Sequence, residues 1–221
     1  MTPRPGAWTW LGILLALLGP LFVAGPLAFL AGDPTSPAGI FAFLCGMWLL
    51  VIATAAIVVG AERRSLMSIG LGRIRLRAVG LGLATAAAIL LSMQLALAPL
   101  DSDAMTGMAR DKETFTVLPT WLKLFTALTA GIAEEWLYRG YAITRLSWVT
   151  GNRTAAAAIS LAIFTVGHVP FWGMEAAIAI LIAALVLTLV YLWTRDLVPV
   201  VVAHVAVDAI SLFAPALLDH V

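Results

Sequence analysis

Near its N-terminus the chain reads WTWLGILLALLGPLFVAGPLAFL from Trp8 to Leu30, with no charged side chain. A membrane-spanning helix needs about 20 consecutive apolar residues, so this run is long enough to cross a bilayer. It is also longer than the roughly 7–15-residue apolar region of a cleaved signal peptide. We therefore expect it to be retained as a first membrane span.

The composition of the whole chain also indicates that it folds in a lipid bilayer. Of its 221 residues, 62% are hydrophobic and 11% are charged, whereas a soluble domain has about 45–50% apolar and about 25% charged residues. No basic stripe interleaved with aromatic residues is present, so nucleic-acid binding has no support and we expect no nucleic-acid partner. The lone Cys45 cannot form a disulfide within the chain. Without repeats or a polar linker, we expect residues 1–221 to form a single membrane domain.

Further apolar runs extend this pattern along the chain and predict an all-α, polytopic transmembrane bundle of about seven spans. The predicted spans are Trp8–Leu30, Gly39–Gly60, Val79–Pro99, Thr120–Val149, Thr154–Val169, Glu175–Thr194 and Pro199–Leu218.

Basic residues predict the orientation, because cytoplasmic loops carry the excess of Lys and Arg. If the seven spans alternate in direction, the following residues lie on one side of the membrane: Arg4, Arg63, Arg64, Arg73, Arg75, Arg77, Arg145, Arg153 and Arg195. The other side receives Arg110, Lys112 and Lys123 beside Asp33, Asp101, Asp103, Asp111 and Glu113. We expect an integral protein of a bacterial cytoplasmic membrane with the N-terminus inside and the C-terminus outside. The loop 62–77 is then a positive-inside anchor, or alternatively a site for anionic lipid or a partner.

The fourth predicted span carries the most informative residues, in the sequence GIAEEWLYRG from Gly131 to Gly140. A charge at the centre of a spanning helix costs about 2.5–3.5 kcal/mol on insertion scales, so such groups mark functional sites. Glu135 lies four residues before Arg139 and can pair with it on one helix face. Glu134 has Tyr138 as its i+4 neighbour and no basic partner in its helix. It is therefore the carboxylate available for chemistry, unless it is protonated and merely holds helices together.

Two later spans supply histidines and one more carboxylate. His168 follows Phe164 by one helical turn, and His204 precedes Asp208 by the same spacing. A carboxylate one turn from an imidazole can fix its tautomer, although a buried polar contact without function has the same spacing. Together with Glu134 these groups come from three helices, as in a site built inside a helical bundle. No His-Glu-x-x-His helix is present.

The three motifs resemble, in order, those of the CPBP intramembrane proteases, the CAAX prenyl endopeptidase and bacteriocin-processing family also called Abi. They are Glu134-Glu135-x-x-x-Arg139, Phe164-x-x-x-His168 and His204-x-x-x-Asp208. The resemblance implies an endopeptidase acting on membrane-associated or prenylated peptides, with its catalytic part in residues 120–218. It implies that Glu134 and His168 activate water and that His204 and Asp208 stabilise the oxyanion or complete the site. Glu135, Arg139, Tyr138 and Phe164 then support them.

Asp208 departs from the family pattern, which often has Asn at this position. An amide can donate to an oxyanion, whereas an ionised carboxylate only accepts. Asp208 is therefore protonated by burial, orients His204, or ligates a metal. Members of the family are described both as metalloproteases and as metal-independent glutamate proteases. The cofactor is accordingly either none or zinc, with Glu134, His168, His204 and Asp208 as the candidate ligands.

Two alternatives to an endopeptidase fit the same polar residues. A proton-coupled transporter could use them as a relay, and an inactive immunity or scaffold protein could bind a peptide in the same cavity. The predicted depths in the membrane, counted along each helix from its cytoplasmic end, do not all agree. Glu134 and His168 lie at about the same depth, but His204 is shallower when counted from Pro199. Either the last helix begins deeper in the protein, or its predicted boundary is misplaced.

Overall fold

Each predicted apolar run folds as a helix. The computed structural model describes residues 5–97 and 117–218, and these residues contain helices and no β-strand. The all-α prediction is therefore confirmed. The helices are α1 (Ala7–Leu30), α2 (Pro37–Ala61), α3 (Leu76–Leu97), α4 (residues 120–150), α5 (Arg153–Met174), α6 (Ala176–Thr194) and α7 (Leu197–Leu218).

Five of these helices, α1, α2, α3, α5 and α6, are long and apolar enough to cross a bilayer. The chain is an integral membrane protein. In α7 the apolar segment is shorter and runs from Leu197 to Phe213, while α4 carries the charged motif. The predicted end of the third span, Pro99, lies outside the described residues, as do Arg4, Asp101, Asp103, Arg110, Asp111, Lys112 and Glu113.

A single glycine reverses the chain between α5 and α6. Gly173 has φ 76° and ψ 171° within an otherwise uninterrupted helical stretch, and glycine adopts positive φ without the steric cost of a Cβ. Arg153 at the start of α5 and Arg195 after the end of α6 line the same cavity. The two helices are therefore the antiparallel arms of a hairpin.

The loops rich in arginine meet at one end of the bundle, as the alternation of spans predicts. The segment between α2 and α3 contains a short 3-10 helix, Leu66–Ile69, that packs against the other loops of this end. Tyr191 donates its hydroxyl to the Ile69 carbonyl at 3.1 Å, and the amide of Leu197 donates to the Gly70 carbonyl at 2.8 Å. We call this region the basic end.

A buried ion pair fixes the same loop to α4. Arg145 contacts Glu62 at 2.7 Å, and both side chains are only 3% exposed. The Glu62 carboxylate also accepts from the Tyr141 hydroxyl at 3.1 Å, and Arg145 donates to the Ser68 hydroxyl at 2.9 Å. A buried pair with these additional hydrogen bonds is satisfied on both sides, so removing one partner would strand the other.

The last helix begins well inside the protein. Leu197 is 2% exposed, and a Cβ added to Gly140 would lie 3.0 Å from its Cδ1 atom. Gly140 lies about 15 Å before the end of α4 at 1.5 Å per residue. The depth difficulty is thus resolved in favour of the deeper start, and the boundary moves only from Pro199 to Leu197. This start brings His204 to the level of Glu134.

Two tryptophans connect α2 to α4 through hydrogen bonds. The Trp136 indole donates to the Thr54 hydroxyl at 3.0 Å, and the Trp48 indole donates to the Thr129 hydroxyl at 3.0 Å. A buried indole N–H needs a partner, which explains why these rings lie in the interior rather than at an interface. The pairs hold α2 against the motif-bearing helix.

The arrangement of the loops generates a topology prediction. Because the basic end carries the arginines, we expect it to face the cytoplasm. A topology reporter fused after Gly70 should therefore be located in the cytoplasm. A reporter fused after Val221 should be located outside the cytoplasm. Finding both reporters on the same side of the membrane would mean that one helix does not cross.

Candidate active site

The motif of α4 lies in a π-helix, in which backbone hydrogen bonds join residues five apart. This segment covers Ala130–Ile143. Such helices are rare, are mostly a single turn long and are frequent at functional sites. The sequence pattern predicts an ordinary α-helix here, so the π-helix is a finding of the structure. The nearby Gly131 allows close contact with α7, since a Cβ there would lie 2.8 Å from the Val205 amide nitrogen.

Glu135 holds the centre of the site together. Its Oε1 atom accepts from Arg139 Nη1 at 2.8 Å and from His204 Nδ1 at 2.8 Å. Arg139 also donates to the Ala184 carbonyl of α6 at 3.1 Å. The side chains of Glu135 and Arg139 are 0% and 1% exposed. The pair predicted from the i,i+4 spacing is present, and it joins three helices rather than one.

Glu134 faces both histidines. Its Oε2 atom lies 3.9 Å from His168 Nε2 and 3.9 Å from His204 Nε2. Its side chain is 13% exposed, so it is more accessible than Glu135. The three groups come from α4, α5 and α7, as the sequence predicts. Among the described residues, no Lys or Arg lies within ion-pair distance of Glu134, and its nearest basic groups are the two imidazoles.

Hydrogen bonds at Nδ1 fix the orientation of both imidazoles. His168 Nδ1 lies 2.7 Å from the Phe164 carbonyl, which can only accept, so this nitrogen carries a proton. His204 Nδ1 faces the Glu135 carboxylate in the same way. The partner at one ring nitrogen determines which nitrogen remains for chemistry. Both rings therefore present Nε2 to Glu134.

Phe164 is the packing centre of the second motif. Its ring centroid lies 4.3 Å from that of His168 and 4.9 Å from that of Tyr138, which it meets edge to face. The Arg139 guanidinium lies 4.5 Å from the same ring. Phe164 is 4% exposed. The aromatic residue of the motif thus positions both a histidine ring and the buried cation.

Asp208 lies beside His204, as the i,i+4 spacing suggests, but near Nε2 rather than Nδ1. Its Oδ2 atom lies 3.6 Å from His204 Nε2, whereas Nδ1 is bound to Glu135. Glu135, and not Asp208, therefore fixes the tautomer of His204. The Asp208 side chain is 28% exposed, more than those of Glu134 and the two histidines. It lies at the more exposed edge of this group of residues, next to His204 Nε2.

The sequence offers Glu134, His168, His204 and Asp208 as candidate metal ligands, and whether they bind a metal stays a prediction. Within residues 5–97 and 117–218, no three His, Cys, Asp or Glu side chains are arranged to hold a metal ion. Glu134 and the two histidines are arranged instead around a space between Oε2 and the Nε2 atoms.

Part of the chain matches a known protein family. Residues 116–210 match the family model described as type II CAAX prenyl endopeptidase, Rce1-like. This segment resembles an Rce1-like domain of the CPBP/Abi family. The Rce1-like segment includes all three motifs and implies a protease with a protein or peptide substrate, while α1–α3 lie outside the match. No curated protein and no solved structure matches the chain.

Several supporting residues lie outside the motifs of the Rce1-like segment. Ser160 donates to the Tyr138 carbonyl at 2.8 Å, and Ala184 accepts from Arg139 through its backbone. Tyr138 donates to the Leu17 carbonyl of α1 at 3.5 Å. A backbone acceptor leaves no mark in the sequence, so two of these contacts carry no sequence signal. A serine in an apolar helix is a weak signal for Ser160.

The shared carboxylate generates a stability prediction. Glu135→Gln should destabilise the protein by about 3–5 kcal/mol, because it leaves the Arg139 charge buried without a counter-ion. The double variant Glu135→Gln/Arg139→Gln should recover part of that loss. Unfolding in detergent, followed by tryptophan fluorescence, measures both.

The neighbouring residue supplies the matched control for that measurement. Glu134→Gln removes the same charge one position earlier, and it should leave the unfolding midpoint nearly unchanged. Equal destabilisation by the two single variants would contradict the assignment of the ion pair to Glu135 alone.

Proposed function

We propose that this protein is an intramembrane endopeptidase in which Glu134 activates a water molecule for attack on a peptide bond. The observation that supports this most directly is the placement of two imidazole Nε2 atoms at 3.9 Å from one carboxylate oxygen. A water molecule in the space between them could donate to Glu134 and His168 at once. The Rce1-like match supports the same reaction class.

The proposed reaction starts with proton transfer from water to Glu134. The water donates its second proton to Nε2 of neutral His168 in a hydrogen bond, and its oxygen attacks the carbonyl carbon of the scissile bond. Glu134 then gives its proton to the leaving amine as the C–N bond breaks. No covalent bond to the enzyme forms, so the products are a carboxylic acid and an amine.

His204 is the proposed hydrogen-bond donor to the oxyanion. When both its nitrogens are protonated, Nδ1 donates to Glu135 and Nε2 is free to donate to the developing oxyanion. The Glu135 carboxylate compensates the positive charge of this ring. Loss of one such donor typically reduces kcat by about 100- to 1000-fold. The role requires a ring that cannot rotate, which the 2.8 Å contact to Glu135 provides.

We also propose that residues 1–221 work as one membrane domain with the catalytic part in 120–218. Support comes from α1 and α2, which contact the motif helix through Leu17 and Thr54. The substrates are then membrane-associated peptides or proteins, including prenylated ones, that reach the site from the bilayer. The bacterial cytoplasmic membrane, with the N-terminus inside, is the proposed location.

The two competing functions are distinguished by one set of assays on the detergent-purified protein. An endopeptidase cleaves members of a quenched peptide library, a scaffold binds peptides without cleaving them, and a proton-coupled transporter takes up solute into liposomes when a pH gradient is applied. Among these outcomes, only cleavage that depends on Glu134 supports the proposal.

Replacement of the proposed base tests the mechanism. Glu134→Gln is nearly isosteric and should reduce kcat for peptide cleavage by at least about 100-fold, since the amide cannot accept the proton of water. Peptide binding should persist. Asp33→Asn, which removes a carboxylate from the exposed turn between α1 and α2, should keep full activity and serves as the control. A Glu134→Gln variant with normal kcat would refute the proposed role.

Asp208 supplies a separate test of the metal question. If it acts as a neutral acid or lies beside His204 without ligating a metal, Asp208→Asn should keep substantial activity, because the amide retains the shape and can donate. Activity at high pH should be preserved or higher in the variant. Stoichiometric zinc that is lost on chelation together with activity, and restored with it, would instead establish a metalloprotease.

A further inference from the structure

An open cavity of about 280 Å³ lies at the basic end, away from the proposed catalytic groups. Its walls come from the loop between α2 and α3, the last turns of α4, the start of α5 and the end of α6. The polar residues that line it include Ser68, Thr144, Ser147, Arg153, Tyr191 and Arg195. Neither the glutamate–histidine site nor the Rce1-like motifs use this cavity.

Two guanidinium groups from different helices lie at this cavity without a carboxylate partner. Among the described residues, no Asp or Glu oxygen lies within ion-pair distance of Arg153 or Arg195. The nearest acid in sequence, Asp196, accepts from the Val198 amide at 3.0 Å and caps α7. Two cations that share a concave surface without a counter-ion favour binding of an anion.

A third donor at the cavity is also without a partner. The Ser147 Oγ atom is buried and makes no hydrogen bond to the described residues. Buried polar atoms are nearly always paired, so each exception requires an explanation. A hydroxyl and two guanidiniums are the donor set that binds phosphate oxygens, and the planar fork of arginine matches their geometry.

The backbone at Arg195 provides further support. This residue ends α6 in the left-handed conformation with φ 55°. Glycine is the usual residue at such a helix end, because a Cβ is strained there. An arginine at this position adds strain and supplies a cation at the cavity mouth.

The surroundings of the cavity indicate that the anion belongs to a lipid. Met67, which lines it, is 74% exposed, and Trp193 beside Arg195 is 74% exposed. Exposed tryptophan near the end of a spanning helix is typical of the membrane interface. From these observations we propose that the cavity binds the phosphate ester of an anionic membrane lipid, held between Arg153 and Arg195 with Ser147 as a third donor.

Thermal unfolding of the full chain in a zwitterionic detergent tests the proposal. A ligand that binds only the folded state raises the melting temperature. Short-chain phosphatidylglycerol should raise it, and phosphatidylcholine of the same chain length should not. In Arg153→Gln/Arg195→Gln, the phosphatidylglycerol concentration that gives half of the rise should increase by about tenfold or more.

The matched control is Arg75→Gln/Arg77→Gln, which removes two exposed arginines from the same end without touching the cavity. It should respond to phosphatidylglycerol like the wild type. An equal loss of response in this control, or an unchanged response in the cavity variant, would show diffuse charge attraction and overturn the proposal. An equal response of the wild type to phosphatidylcholine would also overturn it.

Two further variants keep the test valid if the double variant does not fold. Arg195→Gly suits the left-handed backbone, and Ser147→Ala removes only the unpartnered hydroxyl. Each should melt at or above the wild-type temperature without lipid and should need more phosphatidylglycerol for the same rise. If inorganic phosphate alone reproduces the full rise, the anion site stands but the lipid assignment is wrong.

Discussion

The buried Glu135 carboxylate is the constraint on which the rest of the site depends. A charge with no exposed surface is stable in a helical bundle only when a counter-charge and hydrogen bonds surround it. Glu135 obtains both from one oxygen, which accepts from Arg139 and from His204. Through these two donors the charge determines how α4 packs against α7, and through the Ala184 carbonyl it also determines the position of α6. Glu134, one residue earlier, is left facing the two histidines.

Much of this arrangement could be predicted from the sequence, because the polar residues are few and their spacing is helical. The i,i+4 spacing predicted the ion pair of Glu135 with Arg139. The apolar runs predicted the seven helices of the part of the chain that the structure describes. The π-helix could not be predicted, since it changes the backbone hydrogen bonds without a distinctive residue pattern. The partner of His204 was missed for a related reason: spacing reveals neighbours within a helix, such as Asp208, but not a carboxylate on another helix. The buried role of Arg145 was missed as well, because an arginine near a loop is usually solvated.

Polar cross-links between apolar helices recur throughout the structure. Trp136 bonds to Thr54, Trp48 bonds to Thr129, and Tyr191 bonds to the backbone of the loop between α2 and α3. In a bilayer, lipid chains are as apolar as leucine side chains, so burial alone does not specify which helices associate. Hydrogen bonds between helices supply that specificity. They connect α1 and α2, which carry no family motif, to the helix that carries Glu134.

The reversal at Gly173 has a consequence for how the chain can change over time. Arg139 contacts both arms of the α5–α6 hairpin, through the Phe164 ring on one arm and the Ala184 carbonyl on the other. With one glycine at the tip, there is no loop in which an inserted or deleted residue could be absorbed. Any change of length there would slide one arm along the other and separate these two contacts. The tip of the hairpin is remote from the proposed reacting groups. Even so, substitutions there should be rare in evolution, and insertions or deletions should be rarer still.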